Sequence, residues 1–158
     1  MSARRSLTPG EIALARSVFG DAIDYEAAAV ARRKWIFFQP RDRAMAPTGC
    51  IHFHPADPCY HDDFKDAHLH EQGVFIHEMT HVWQHQRGIY LPLARHPWCR
   101  YDYTLKPGQP FRRYGLEQQA EIVRHAFLLR RGATVPGAPS LAQYATLLPF
   151  GSSMEVQA

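Results

Sequence analysis

Cysteine is scarce in this chain. Cys50, Cys59 and Cys99 are the three among 158 residues, and no two are spaced C-x-x-C. That excludes a disulfide framework and a cysteine-built zinc knuckle, and it fits a reducing cytosol. Long apolar runs are absent as well: no stretch approaches the length of a membrane span, so no membrane partner is expected. The first ten residues carry Arg4 and Arg5 but no apolar core behind them, which argues against a secretory signal peptide. A cytoplasmic location is expected, although export by a signal-independent machine leaves no trace of this kind. Charge of one sign is also lacking. The net charge is +3, and the pairs Arg4-Arg5, Arg32-Arg33, Arg112-Arg113 and Arg130-Arg131 are scattered. They read as solvated surface, and no nucleic-acid partner is expected. Internal repeats and a second domain boundary are missing too. The chain reads as one domain over residues 1–150, long enough to bury a core, with a disordered tail at 151–158.

What is present is a set of helix signals around a short strand. Thr8-Pro9-Gly10-Glu11 combines a cap, a proline suited to the first turn and a capping-box acid, and predicts a helix to about Phe19 ended by Gly20. Residues from about Ala27 to Phe38 are expected to be extended, although the alanine-rich start would also tolerate helix, with Pro40 closing the segment. Cys50-Ile51-His52-Phe53-His54 predicts a strand with Ile51 and Phe53 on one face and the two histidines on the other. A Pro/Asp/His-rich loop follows to about His68. Helices are predicted from about Leu69 to Arg87, from near Tyr114 to about Arg131, and from Leu141 to Leu148. The stretch from Gly88 to Pro110 holds four prolines and little period, as a functional or covering loop would. Together these give an α+β class.

The residues that carry chemistry lie in the second of those helices. His77-Glu78-Met79-Thr80-His81 is an H-E-x-x-H pattern. Histidines four apart share one helix face, so both imidazoles reach one Zn²⁺, and the intervening Glu78 projects beside the metal as a general base for its water. Val74, Phe75, Val82 and Trp83 supply apolar anchors at helical spacing, and Gly88 sits where the helix should stop.

A catalytic zinc site needs a third protein ligand and one open position. The extended pattern H-E-x-x-H-x-x-G-x-x-H requires glycine at 84 and histidine at 87, where this chain has Gln84 and Arg87. The peptide deformylase pattern fails as well, because Thr80 precedes the second histidine and Cys50 lies in Thr-Gly-Cys-Ile. There remains an acid from a downstream helix. Glu117 and Glu121 are one turn apart in Glu-Gln-Gln-Ala-Glu and point the same way. The order resembles that of gluzincins, in which the first acid binds zinc and the second supports a ligand histidine. By that resemblance Glu117 is the ligand and Glu121 orients His77 through its other ring nitrogen, with the reverse assignment still open. His85 is expected to be exposed or to support the site from outside it. His61-Asp62-Asp63 is a minor candidate for a second metal, and Tyr101, Tyr103 and Tyr114 are candidates for an oxyanion donor.

Ala44-Met-Ala-Pro-Thr-Gly-Cys-Ile-His-Phe53, followed by Val74-Phe-Ile-His-Glu-Met-Thr-His-Val-Trp-Gln-His85, resembles the eCIS-core domain family of zincin-type metallopeptidase domains associated with contractile injection systems. Leu7-Thr-Pro-Gly-Glu-Ile-Ala-Leu-Ala15, Arg100-Tyr-Asp-Tyr103 and the Glu117–Glu121 segment are similar to short bacterial proteins labelled vgr-related, a label tied to type VI secretion spikes. The resemblance implies a minimal zincin-like fold, in which a small sheet packs on the H-E-x-x-H helix and a second helix bears the third ligand. It also implies a zinc metallopeptidase acting on a peptide or protein substrate, with the Cys50–His54 strand as the edge that pairs with it. The competing expectation is a non-catalytic, zinc-stabilised adaptor working with a secretion apparatus. Intact Glu78 argues against it, because a structural site needs no base.

Overall fold

The computed structural model describes residues 4–89, 91 and 100–150. The expected disordered tail, Cys99, His96 and the middle of the Gly88–Pro110 stretch lie outside the described residues. Strand β1 (Arg4–Ser6) runs into helix α1 (Pro9–Phe19), followed by β2 (Ala29–Ala31), β3 (Cys50–His52), α2 (Leu69–Gln86), α3 (Leu116–Arg130) and α4 (Leu141–Leu147). The class is α+β, with four helices among the described residues beside one three-stranded sheet.

Helix α1 begins where its capping residues predict. The Thr8 hydroxyl accepts from the Glu11 N–H, the Glu11 carboxylate accepts from the Thr8 N–H, and Gly20 ends the helix at φ 56°. Glu11 does more than cap. Its buried carboxylate also accepts two hydrogen bonds from Arg5, at 2.8 and 2.9 Å, and one from the Phe64 N–H. One acid thus joins β1, α1 and the short 3₁₀ turn Phe64–Asp66 that precedes α2.

The sheet order is β1-β2-β3, antiparallel between the first two and parallel between the last two, with Val30 opposite both Arg5 and Ile51. Just past β3, Phe53 stacks on Phe64, and Phe64 on Phe75 of α2, with centroids 5.3 and 5.1 Å apart. This aromatic column fastens the sheet to the central helix. Across α2, Gly73 lets α3 approach closely: a Cβ there would lie 3.2 Å from Leu128 and 3.4 Å from Arg124.

Two expectations are corrected. The predicted extended run from Ala27 to Phe38 is a strand only over Ala29–Ala31. From Arg32 onward no neighbouring strand continues the ladder, and the chain turns into a loop closed by Gln39, which accepts from the Trp35 N–H and donates to the Arg43 and His52 carbonyls. The expected substrate-pairing strand Cys50–His54 ends at His52, and its outer edge is bridged there by Met45, which exchanges both backbone hydrogen bonds with His52. The edge is covered where the resemblance would have it open.

Removing the Glu11 carboxylate tests how far this scaffold depends on it. Glu11→Ala leaves Arg5 and two backbone donors without their acceptor and is expected to cost about 2–4 kcal/mol, read as a lowered urea midpoint.

Candidate metal centre

Helix α2 carries an unusual load for a central helix. His77, Glu78, Thr80, His81 and Gln84 are all buried. Buried polar groups need partners. Thr80 finds its partner within the helix, its hydroxyl donating to the Ile76 carbonyl. His77, His81 and Gln84 look toward α3. His77 and His81 share one face, their ring centroids 5.0 Å apart, and α3, whose far end packs closely on Gly73, lays its first turn against them.

The Glu117 carboxylate, 1% exposed, lies against both imidazoles. Its oxygens are 3.2 Å from His77 Nε2 and 3.2–3.3 Å from His81 Nε2. One donor atom from each of the three residues falls within a 4.8 Å group, and among the described residues no other cluster of histidine, cysteine and acid does so. A tetrahedron of zinc–ligand bonds of about 2.0–2.1 Å has edges of about 3.3 Å, so these nitrogen–oxygen separations are compatible with a shared Zn²⁺.

The outer nitrogens are tied as well. Gln119 donates its amide to the Tyr114 carbonyl, Gln84 donates to Gln119 Oε1 and the Leu116 carbonyl, and Gln84 Oε1 lies 2.8 Å from His81 Nδ1. Backbone carbonyls only accept, so they fix the orientation of both amides, and His81 Nδ1 must be the donor to Gln84. In the neutral ring Nε2 is then a bare lone pair facing a carboxylate, an arrangement that calls for a cation between them. On the other ring, His77 Nδ1 lies 3.4 Å from Glu121, whose carboxylate accepts from Arg124 at 2.5 and 3.2 Å. Both imidazoles therefore present Nε2 inward, the tautomer in which histidine binds a metal through that atom.

The electrostatics agree. Burial lowers the affinity of His77 for a proton, but hydrogen bonds to Glu117 and Glu121, with the charges of Glu78 and Glu117, outweigh it and hold its pKa at about 9. Burial raises Glu121, but its bonds to His77 and Arg124 prevail and bring its pKa to about 2. Three carboxylates converge on two imidazoles, and the pocket favours positive charge.

The structure thus brings His77, His81 and Glu117 together, sets buried Glu78 beside His77 on the same helix, and places Glu121 on the outer nitrogen of His77. Other candidates are elsewhere. His61 bonds Glu71 at 2.8 Å and Asp63 caps the 3₁₀ turn, so His61-Asp62-Asp63 does not assemble as a second metal group among the described residues. His85 is half-buried against Gly49. The Tyr103 hydroxyl is bound to Tyr144 and His125, and that of Tyr114 accepts from the Lys106 N–H. Tyr101 lies at the site, stacked on His77 at 6.1 Å between centroids. Sequence reasoning missed the Gln84–Gln119 relay. The one signal the sequence carries is Gln84, a polar residue one turn past His81 on the same helix. Gln84→Leu frees the His81 ring to adopt the other tautomer and is expected to weaken zinc affinity about 10–100-fold in a competitive chelator titration.

No family model matches the chain, so the eCIS-core resemblance rests on the motifs alone. The chain is 42% identical over 134 residues to the type VI secretion system spike protein VgrG2b of Pseudomonas aeruginosa PAO1, a match covering 80% of this chain and 13% of that protein. It therefore spans only a small part of the length of that curated relative. Among solved structures it is similar to the effector domain of Pseudomonas aeruginosa VgrG2b, at 38% identity and a TM-score of 0.77, over 90% of this chain and 80% of that one. With four-fifths of that domain covered at this identity, the chain belongs to the family of the VgrG2b effector domain.

Proposed function

We propose that this domain is a zinc-dependent metallopeptidase that works with a type VI secretion apparatus. The observation that carries the reading is the convergence of His77 Nε2, His81 Nε2 and the Glu117 carboxylate, with the Glu78 carboxyl buried one residue along from His77. A bound Zn²⁺ would supply Lewis acidity, lowering the pKa of its water toward about 7 and polarising a carbonyl. The chain's own residues would do the rest. His77, His81 and Glu117 hold the ion. Glu121 and the Gln84–Gln119 relay keep both Nε2 atoms directed inward. Glu78 takes the proton from the attacking water and returns it to the departing amine. Burial around the site sets a low dielectric in which these charges act strongly. The substrate class is a peptide or an exposed protein segment.

A second reading has a specific observation in its favour. The full-length relative is named as a secretion spike protein, which fits a zinc-stabilised adaptor associated with the apparatus as readily as an enzyme. Glu78 separates the two, because an adaptor has no use for a base. Glu78→Gln is expected to keep one zinc per chain and to lose hydrolysis of casein or a random peptide library by at least about 100-fold. Hydrolysis that persists in the variant contradicts the mechanism. A wild type that holds zinc and cleaves neither probe favours the adaptor.

A further inference from the structure

Between β2 and β3 the loop of residues 32–43 presents three large aromatic side chains to solvent. Phe37 is 86% exposed, Phe38 67% and Trp35 40%, and these are the exposed large hydrophobic residues among those described. They do not sit on a slack loop. Buried Gln39 accepts from the Trp35 N–H at 2.8 Å and donates to the Arg43 and His52 carbonyls, both at 2.9 Å. Lys34 Nζ closes the tip on the Phe37 carbonyl at 3.1 Å, the Phe37 and Phe38 rings meet edge to face, and Trp35 leans on His52. The fold thus holds these aromatics outward in a fixed array, at a cost in exposed apolar area that calls for an occupant.

The charge around them says which. Arg32, Arg33, Lys34, Arg41 and Arg43 flank the tip against the single acid Asp42, a local charge of +4 in a chain whose total is +3. All six are exposed. Arg32 rests on Tyr60 and bonds the Pro55 carbonyl, and Arg43 lies over Tyr101. Among the described residues no acid forms an ion pair with Arg33, Lys34 or Arg41. Aromatic rings suited to the headgroup level, ringed by cations without acidic partners, match a surface that is apolar beneath and negative at its face. We propose that the loop of residues 32–43 docks the domain on an anionic phospholipid surface, with Phe37 and Phe38 entering the acyl boundary and Arg33, Lys34 and Arg41 among the headgroups. No apolar run marks this in the sequence, since the contact is peripheral and uses a tip of three rings rather than a span. Arg43 reaches from the same loop to Tyr101, which stacks on His77, so docking would set the metal centre close to the bilayer.

The test uses the full chain and vesicles, with flotation as the readout and no turnover involved, so it stands apart from the fate of the peptidase reading. Binding is expected to vesicles of equimolar phosphatidylcholine and phosphatidylglycerol, with little to phosphatidylcholine alone. Paired substitution Phe37→Ser with Phe38→Ser should lower the partition at least about tenfold. Each basic residue near an anionic surface strengthens binding about fivefold, so Arg33→Gln with Arg41→Gln should lower it about 25-fold. Fluorescence of Trp35 should shift to the blue on anionic vesicles, and Trp35→Phe should remove that shift. All these side chains are exposed, and unchanged circular dichroism and zinc content would show the variants folded. Equal binding to the two vesicle types, or undiminished binding in either paired variant, overturns the proposal. So does concentration-dependent self-association that the Phe37→Ser, Phe38→Ser pair abolishes in a protein that ignores vesicles, which would assign the patch to a second copy of the chain.

Discussion

The meeting of α2 with α3 buries two imidazoles and a carboxylate at one point, and that concentration of polar groups is the constraint around which the molecule is arranged. Unpaired burial of such groups costs several kcal/mol each by order of magnitude. Here every approach to the pair of histidines ends in a fixed partner: Glu121 backed by Arg124 behind one ring, Gln84 backed by Gln119 behind the other, and Glu117 in front of both. What the arrangement still calls for is positive charge between Glu117 and the inward nitrogens. The same carboxylates that face the His77 ring hold its pKa up at about 9. A divalent cation would supply that charge with the right geometry.

The remainder of the fold makes that meeting possible. Gly73 removes the side chain that would hold α3 away. The column Phe53–Phe64–Phe75 fixes α2 to the sheet on its other side, and the buried Glu11–Arg5 pair anchors the turn that leads into α2. The sheet has three short strands, and its outer edge is bridged at His52 by Met45. If a peptide reaches the centre, other elements must position it. Tyr101 over His77, with Arg43 over Tyr101, marks the side from which the loops approach.

Much of this was legible in the sequence where the signal was local. The capping box at Thr8 and Glu11, the periodic apolar residues of α2, and the glycines after helices all act within a few residues of where they sit. The pair Glu117 and Glu121 was legible as a pair, because a helical turn separates them, but the order in which they meet the histidines is a tertiary fact. The Gln84–Gln119 relay joins residues on different helices through amides that carry no motif. The run from Ala27 to Phe38 misled for a related reason. Aromatic residues favour strands because strands usually give them a packed face, and here Phe37 and Phe38 point to solvent instead. Met45 covering His52 was equally invisible, since strand edges are defined by what happens to lie beside them.

The central claim is that His77, His81 and Glu117 hold one metal ion, and zinc stoichiometry in three proteins tests it most directly. Wild type should contain one zinc per chain after purification or refolding with metal. Glu117→Ala should lose it, while Glu121→Ala should retain it at full loading with lower affinity. Loss in Glu121→Ala with retention in Glu117→Ala would reverse the roles of the two acids, and a wild type that binds no zinc would contradict the account altogether.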